Sequence, residues 1–277
     1  WSAYGTSSVV VDVTKPTAPN PTSQTPTSNS RPTWTWTKIS DAVQYGIKLN
    51  TNTEVLITAL ENPSYTSPQN LDTGFHSINV RAKDEAGNWS NVGTHVVEVD
   101  KIAPVAPVPS TATPTNNKRP TWTWAAVATA NQYIVSFNGG NEVTLGKTTS
   151  YTPTQDLSTG TYTLSVYAKD EVGNKSPAGS HTVTIDLELP PIPQPSTTTP
   201  TNNKQPKWTW NAVSDASQYI VVLDNNSPVT ITGTSYIPPV ALSEGTHTIK
   251  VKAKDDVGNL SNDYGVHTVL IDTTPPA

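Results

Sequence analysis

The chain has 277 residues, no cysteine, 34% hydrophobic residues and a net charge of −5. Without cysteine there is neither a disulfide scaffold nor a thiolate metal site, and an acidic chain with no Lys/Arg run gives nucleic-acid binding little electrostatic support. No apolar stretch approaches the ~20 residues of a membrane helix, and 25 Pro against 15 Gly argue for short strands joined by stiff connections rather than for long helices.

In chain order, the first segment is already a fragment of a pattern. Trp1-Ser2-Ala3-Tyr4-Gly5 through Val13 matches Trp89-Ser90-Asn91-Val92-Gly93 through Val99 and Asp100. Residues 1–15 therefore read as the last strand of a preceding module, with Val9, Val11 and Val13 on one face. Its unpaired backbone is expected to pair with another module or a neighbouring chain. Arg31-Pro32-Thr33-Trp34-Thr35-Trp36 follows and returns as Arg119-Pro120-Thr121-Trp122-Thr123-Trp124, then as Gln205-Pro206-Lys207-Trp208-Thr209-Trp210. Gln44-Tyr45 returns as Gln132-Tyr133 and Gln218-Tyr219. Ala82-Lys83-Asp84 with Gly87-Asn88 returns as Ala168-Lys169-Asp170 with Gly173-Asn174 and as Ala253-Lys254-Asp255 with Gly258-Asn259. A period of roughly 86 to 88 residues is too long for most solenoids and fits a self-contained small sandwich. The modules are placed at residues 16–103, 104–189 and 190–277.

Inside each repeat, period 2 dominates. Tyr162, Leu164, Val166 and Ala168 share a face while Thr163, Ser165, Tyr167 and Lys169 point away. That is the mark of antiparallel strands covered on one side, and each repeat yields about seven of them. Both Trp of each pair fall on the core-facing side, with the second expected to be the deeper. Asp84-Glu85-Ala86-Gly87-Asn88 is a turn, because Gly tolerates positive φ and Asp bonds its own nearby backbone. The Pro-rich stretches after each final strand, such as Ala103-Pro104-Val105-Ala106-Pro107, serve as linker and edge.

These residues resemble tandem fibronectin type III-like or Ig-like domains of bacterial surface and secreted proteins. The resemblance rests on Trp36, Trp124 and Trp210, on Tyr45, Tyr133 and Tyr219, on the Ala-Lys-Asp-x-x-Gly-Asn turn, and on a closing Asp near Pro. It implies an all-β chain: three tandem β-sandwiches in an elongated array, plus the N-terminal orphan strand. The pattern departs at the tyrosine-corner position, which is Tyr162 in one repeat but His76 and His247 in the others.

Polar features were weighed for chemistry. His95, His181 and His267 occupy one repeat position, which fits a constraint of the module rather than a catalytic triad organised once; no catalytic residue is assigned. Asn88-Trp89-Ser90, Asn174-Lys175-Ser176 and Asn259-Leu260-Ser261 match the glycosylation acceptor pattern, yet their shared position points to a turn. The acids are the sharpest candidates. Asp12, Asp100 and Asp186 close final strands, and Asp84/Glu85, Asp170/Glu171 and Asp255/Asp256 lie in the turn of the following module. End-to-end stacking brings these sets together, where they repel unless separated, hydrated or bridged by Ca²⁺, a hard cation that takes six to eight oxygens. Metal-stiffened linkers occur in adhesin repeats of the kind the chain resembles. No other cofactor is called for.

The expected role is that of an extracellular spacer in a bacterial surface adhesin-like protein, partnered by neighbouring modules. Host-cell, surface or polysaccharide ligands would be engaged by regions outside this stretch. The alternative is an accessory spacer or weak sugar binder of a secreted polysaccharide-degrading enzyme, which would show a flat row of exposed aromatic rings.

Overall fold

A computed structural model describes residues 8–275. It is all-β, with no helix among the described residues. Module 1 carries β1 (Thr33–Thr35), β2 (Gln44–Leu49), β3 (Val55–Thr58), β4 (Ser64–Thr66), β5 (Gly74–Lys83) and β6 (Gly93–Val99). Module 2 repeats this order with β7 (Trp122–Thr123), β8 (Gln132–Phe137), β9 (Glu142–Gly146), β10 (Ser150–Tyr151), β11 (Gly160–Lys169) and β12 (Gly179–Ile185). Module 3 does so with β13 (Trp208–Thr209), β14 (Gln218–Leu223), β15 (Val229–Ile231), β16 (Ser235–Tyr236), β17 (Gly245–Lys254) and β18 (Gly265–Ile271). Each module sets a two-stranded sheet against a four-stranded one ordered β3-β2-β5-β6 or its equivalent. Three separate cores result, one per module.

The surface area confirms the separation. The chain exposes 16261 Å², against about 11,600 Å² for one compact body of its mass and about 15,600 Å² for three bodies of a third that mass.

Six strands per module stand where about seven were expected. The first is reduced to isolated bridges, Thr22↔Thr35 and, parallel, Thr27↔Val99 in module 1, with counterparts in the others. Its prolines lack the N–H that a continuous ladder needs. This segment nevertheless packs tightly: a Cβ on Gly93, Gly179 or Gly265 would fall 1.7, 1.6 or 1.7 Å from the carbonyl oxygen of Pro19, Pro107 or Pro193, so only glycine fits there.

The orphan strand is a correction. Residues 8–15 form no strand, and Val9, Val10, Val11 and Val13 are 76–91% exposed. A strand exists only where its backbone finds a ladder, and no strand of these three modules offers it one. Trp1 to Gly5 lie outside the described residues.

Side chains that define the repeat explain themselves in the core. Both Trp of each pair are buried, and the first is the deeper: Trp34, Trp122 and Trp208 are 0% exposed, Trp36, Trp124 and Trp210 6%. The second Trp meets the Tyr of β2, β8 or β14 edge-on at 5.4–5.6 Å, a geometry worth about 1 kcal/mol beyond burial. The hydroxyl of that Tyr accepts the N–H of Ile39, Val127 or Val213, which holds the preceding loop. Trp122 Nε1 donates to His181 Nδ1 at 3.2 Å, a bond that modules 1 and 3 do not repeat, where Trp34 and Trp208 Nε1 find no partner.

The His-for-Tyr departure also resolves physically. Tyr162 Oη donates to the Ser158 carbonyl four residues upstream. His76 Nε2 and His247 Nε2 reach the equivalent carbonyls of Asp72 and Ser243 at 2.8 and 3.0 Å. The other ring nitrogen meets Asn50 in module 1 and the Asp224 carboxylate in module 3, at 3.0 and 2.9 Å. Asp224 pushes the pKa of His247 up, burial pulls it down, and the Ser243 carbonyl raises it again; the net position is above the ordinary 6.5.

Candidate functional site at the module joints

The turn after β5, β11 or β17 is built by one carboxylate and one glycine. Gly87, Gly173 and Gly258 sit at φ of +98°, +100° and +99°, a left-handed conformation that suits glycine. Asp84, Asp170 and Asp255 are buried at 5, 7 and 3% exposure. Asp170 Oδ1 accepts the N–H groups of Gly173 and Asn174, and Asp255 Oδ1 accepts those of Val257, Gly258 and Asn259. The Asn88, Asn174 and Asn259 amides donate to the second carboxylate oxygen at 2.8–2.9 Å. Burial pushes the Asp84 pKa up, but the Asn88 side chain and the N–H groups of Asn88, Gly87 and Ala86 together outweigh it, holding the carboxyl below its ordinary range.

The same Asn amide then crosses the joint. Asn174 Nδ2 donates to the Asp100 carbonyl at 3.0 Å, Asn259 Nδ2 to the Asp186 carbonyl at 3.0 Å, and Asn88 Nδ2 to the Asp12 carbonyl at 3.1 Å. Each donor thus clips the end of the preceding segment onto the turn of the following module. The receiving Asp is shaped in turn, because its Oδ1 accepts the N–H two residues on: Thr14, Ile102 and Glu188. Ser28 Oγ adds a bond to the Val172 carbonyl at 2.8 Å, and Asn116 Nδ2 one to Asn259 Oδ1 at 3.3 Å. The Asn-x-Ser pattern is thereby accounted for. Its Asn holds the joint, and its Ser is buried, with Oγ accepting the N–H of Ala82, Ala168 or Ala253.

The acids of the sequence reading divide. Asp186 and Asp255 converge with Asp215, and carboxylate oxygens of all three lie within 4.8 Å of one another. Asp100 and Asp170 are linked through Asn174, and Asp12 and Asp84 through Asn88. Neither pair belongs to a three-acid group among the described residues. Glu85, Glu171 and Asp256 are exposed and join no such group. Sequence reasoning missed Asp215 because it looked for periodic acids, and this one alternates by repeat: the aligned residues are Asp41, Thr129 and Asp215. It also assigned the three Asn to their turns alone.

Three half-buried aromatic rings on the outward faces are covered, and Phe75 alone is an exposed ring among the described residues. The Arg81 guanidinium lies 4.1 Å from the Trp89 ring centre, Lys175 Nζ 3.8 Å from that of Tyr167, and Lys252 Nζ 4.9 Å from that of Tyr264. These contacts pin the turn region to the outward sheet face and leave no flat row of bare rings among the described residues.

The family match agrees with this architecture. The sequence profile described as "Bacterial Ig-like domain" matches residues 108–187 and 195–273. Chitinase A1 of Niallia circulans is 30% identical over 200 residues, covering 66% of this chain; the chain spans 28% of that relative's length. The crystal structure of the chicken CNTN1 FN1–FN3 domains aligns with a TM-score of 0.39 at 15% identity, over 93% of this chain and 99% of that one.

Proposed function

Because the chain belongs to the bacterial Ig-like domain family, we propose that it is a non-catalytic extracellular spacer of a secreted or surface-displayed bacterial protein. The observation that carries this reading is the repeated joint, in which one Asn amide clips each module to the segment before it. The Asp-Asn turn that supports each clip recurs in all three modules. Short Pro-rich linkers are extended and semi-rigid, so three modules in line reach ~100 Å. Small-angle scattering of the full chain should return a rod of about that length; a compact, bent particle overturns the reading. Adhesion belongs to this reading as the role of whatever the array presents, with the neighbouring modules as its direct partners.

A second reading is favoured by one observation, the similarity to Chitinase A1 over 200 residues. In it the modules space a catalytic domain from a substrate-binding one in a secreted polysaccharide-degrading enzyme. Capped rings argue for spacing rather than for neutral sugar binding. Retention of the chain on crystalline chitin would restore the sugar-binding form; passage without delay leaves the spacer.

Calcium belongs to the proposal at one joint. Asp186, Asp215 and Asp255 fit a hard cation, with three carboxylates in reach of a single point. At the first joint Thr129 stands where Asp215 does, so Asp100 and Asp170 lack a third carboxylate. A bound Ca²⁺ would neutralise the three charges and stiffen modules 2 and 3 against each other. Calorimetry should show one Ca²⁺ site, removed by Asp215→Thr. Absence of heat at millimolar Ca²⁺ and a Tm unmoved by EDTA refute it.

A further inference from the structure

Features common to the three modules belong to their fold; a feature of one module needs another reason. The outward face of the four-stranded sheet of module 3 is such a feature. Along β17, Lys250, Lys252 and Lys254 alternate with the buried Ile249, Val251 and Ala253, so three lysines leave one face from backbone positions ~6.8 Å apart. The aligned residues are Asn79, Arg81 and Lys83 in module 1 and Ser165, Tyr167 and Lys169 in module 2.

The counter-charge has been removed as well. In module 1, Glu54 holds Arg81 through two hydrogen bonds of 2.7 and 2.6 Å. In module 2, Glu142 holds Lys175 at 2.5 Å. Both acids immediately precede the valine paired to Ile47 or Val135, and the residue before the corresponding Val229 is Pro228. No Asp or Glu occurs in β14, β15, β17 or β18. Among the described residues none of the three lysines is in an ion pair; the nearest acids in sequence, Asp255 and Asp256, follow at the joint end. Like charges closer than the Debye length of ~8 Å repel even at physiological salt, and a bound anion relieves that repulsion. Flanking the stripe are Val222 and Val266 beside Lys250, Ile220 beside Lys252 with Thr230 one strand further out, Gln218 beside Lys254, and the paired Thr248 and Thr268.

We propose that this face binds a linear acidic polysaccharide, its carboxylates or sulfates on Lys250, Lys252 and Lys254 and its hydroxyls on the Thr and Gln side chains around them. A single thin polymer laid along β17 meets all three lysines. An anionic membrane calls for a denser cluster of four to eight basic residues, and single-stranded nucleic acid calls for bare rings to stack on, whereas the one ring here, Tyr264, lies under Lys252. The net charge of −5 opposes attraction to any extended anionic surface beyond the stripe itself.

The test is calorimetric titration of the 277-residue chain with polygalacturonate in low-salt buffer containing EDTA. EDTA makes the outcome independent of any cation at the joints, and the spacer reading is judged separately by scattering. Binding is expected, with affinity falling at least about tenfold between about 50 and about 300 mM salt, and with none to neutral dextran. Lys250→Ser with Lys252→Tyr, the residues of module 2, should weaken binding by about tenfold or more, while Pro228→Glu, the residue of modules 1 and 2, should weaken it severalfold without touching a lysine. No binding to polygalacturonate, undiminished binding by Pro228→Glu together with the double variant, or equal affinity for oligothymidylate or phosphatidylserine vesicles overturns the proposal.

Discussion

The two joints are built from the same clip and differ in the number of carboxylates gathered beside it. Between modules 1 and 2, Asn174 ties Asp170 to the Asp100 carbonyl. Between modules 2 and 3, Asn259 ties Asp255 to the Asp186 carbonyl at the same distances. The loop before β8 then supplies Thr129, whereas the loop before β14 supplies Asp215, which joins Asp186 and Asp255. The clip is a property of the fold, since it depends on a turn that every module needs for its own closure. The third carboxylate is independent of it, because an exposed loop residue can change without disturbing the core. One joint is thus an amide-bonded hinge point, and the other is the same hinge point carrying concentrated negative charge.

The most disruptive way to break the comparison is to remove the carboxylate that both joints share. Asp170→Ala and Asp255→Ala each remove several part-buried hydrogen bonds to a carboxylate, and each should cost about 3 kcal/mol. Thermal unfolding should show equal losses; a large inequality would mean that the turns are not equivalent. Next in size is the exchange of the differing residue. If Asp215 completes a Ca²⁺ site, Thr129→Asp should transfer the response to the first joint, with about 2.7 kcal/mol of stabilisation at a hundredfold excess over Kd, read as a Ca²⁺-dependent rise in Tm. Without Ca²⁺ the same variant should be slightly destabilising, from added repulsion.

Smaller is the clip itself. Asn174→Ala should cost about 1 kcal/mol and loosen modules 1 and 2, visible as a broader distance distribution between labels in adjacent modules; an unchanged distribution would assign joint order to the linker alone. Smallest is the charged corner next to the outer end of module 3. His247 has a raised pKa, so its bond to Asp224 stabilises fully below about 6.5 and is lost as pH rises through the raised value. Asp224→Asn, which gives His247 the kind of partner that Asn50 is for His76, should erase that alkaline loss. Asp84 works in the other direction. Its depressed pKa gives stability that is present above the ordinary carboxylate range and lost as pH falls through the lowered value, which acid unfolding monitored by module 1 fluorescence would register.

Much of this was legible residue by residue. Trp34 and Trp36 alternate with Thr, which places both rings on one face and inside. The alternation of Tyr162, Leu164, Val166 and Ala168 with polar residues gives the long strand, and Gly87 gives the turn. What the alternation did not reveal was the depth order of the two Trp, since both share a face and only the opposing sheet decides which lies further in. Nor did it reveal that the first strand would fail to form a ladder, although the prolines that prevent it were in view.

The sequence alone determined three sandwiches, their period and their cores, because hydrophobic alternation and turn chemistry act over a few residues and are written locally. Only the tertiary structure decided that Asn174 and Asn259 span the joints, that Asp215 meets Asp186 and Asp255, and that Lys252 stands without the acid that balances Arg81 in module 1. Those facts depend on side chains brought together from distant parts of the chain, and their energies fall off within a few ångströms, so they exist only once the modules have closed and docked.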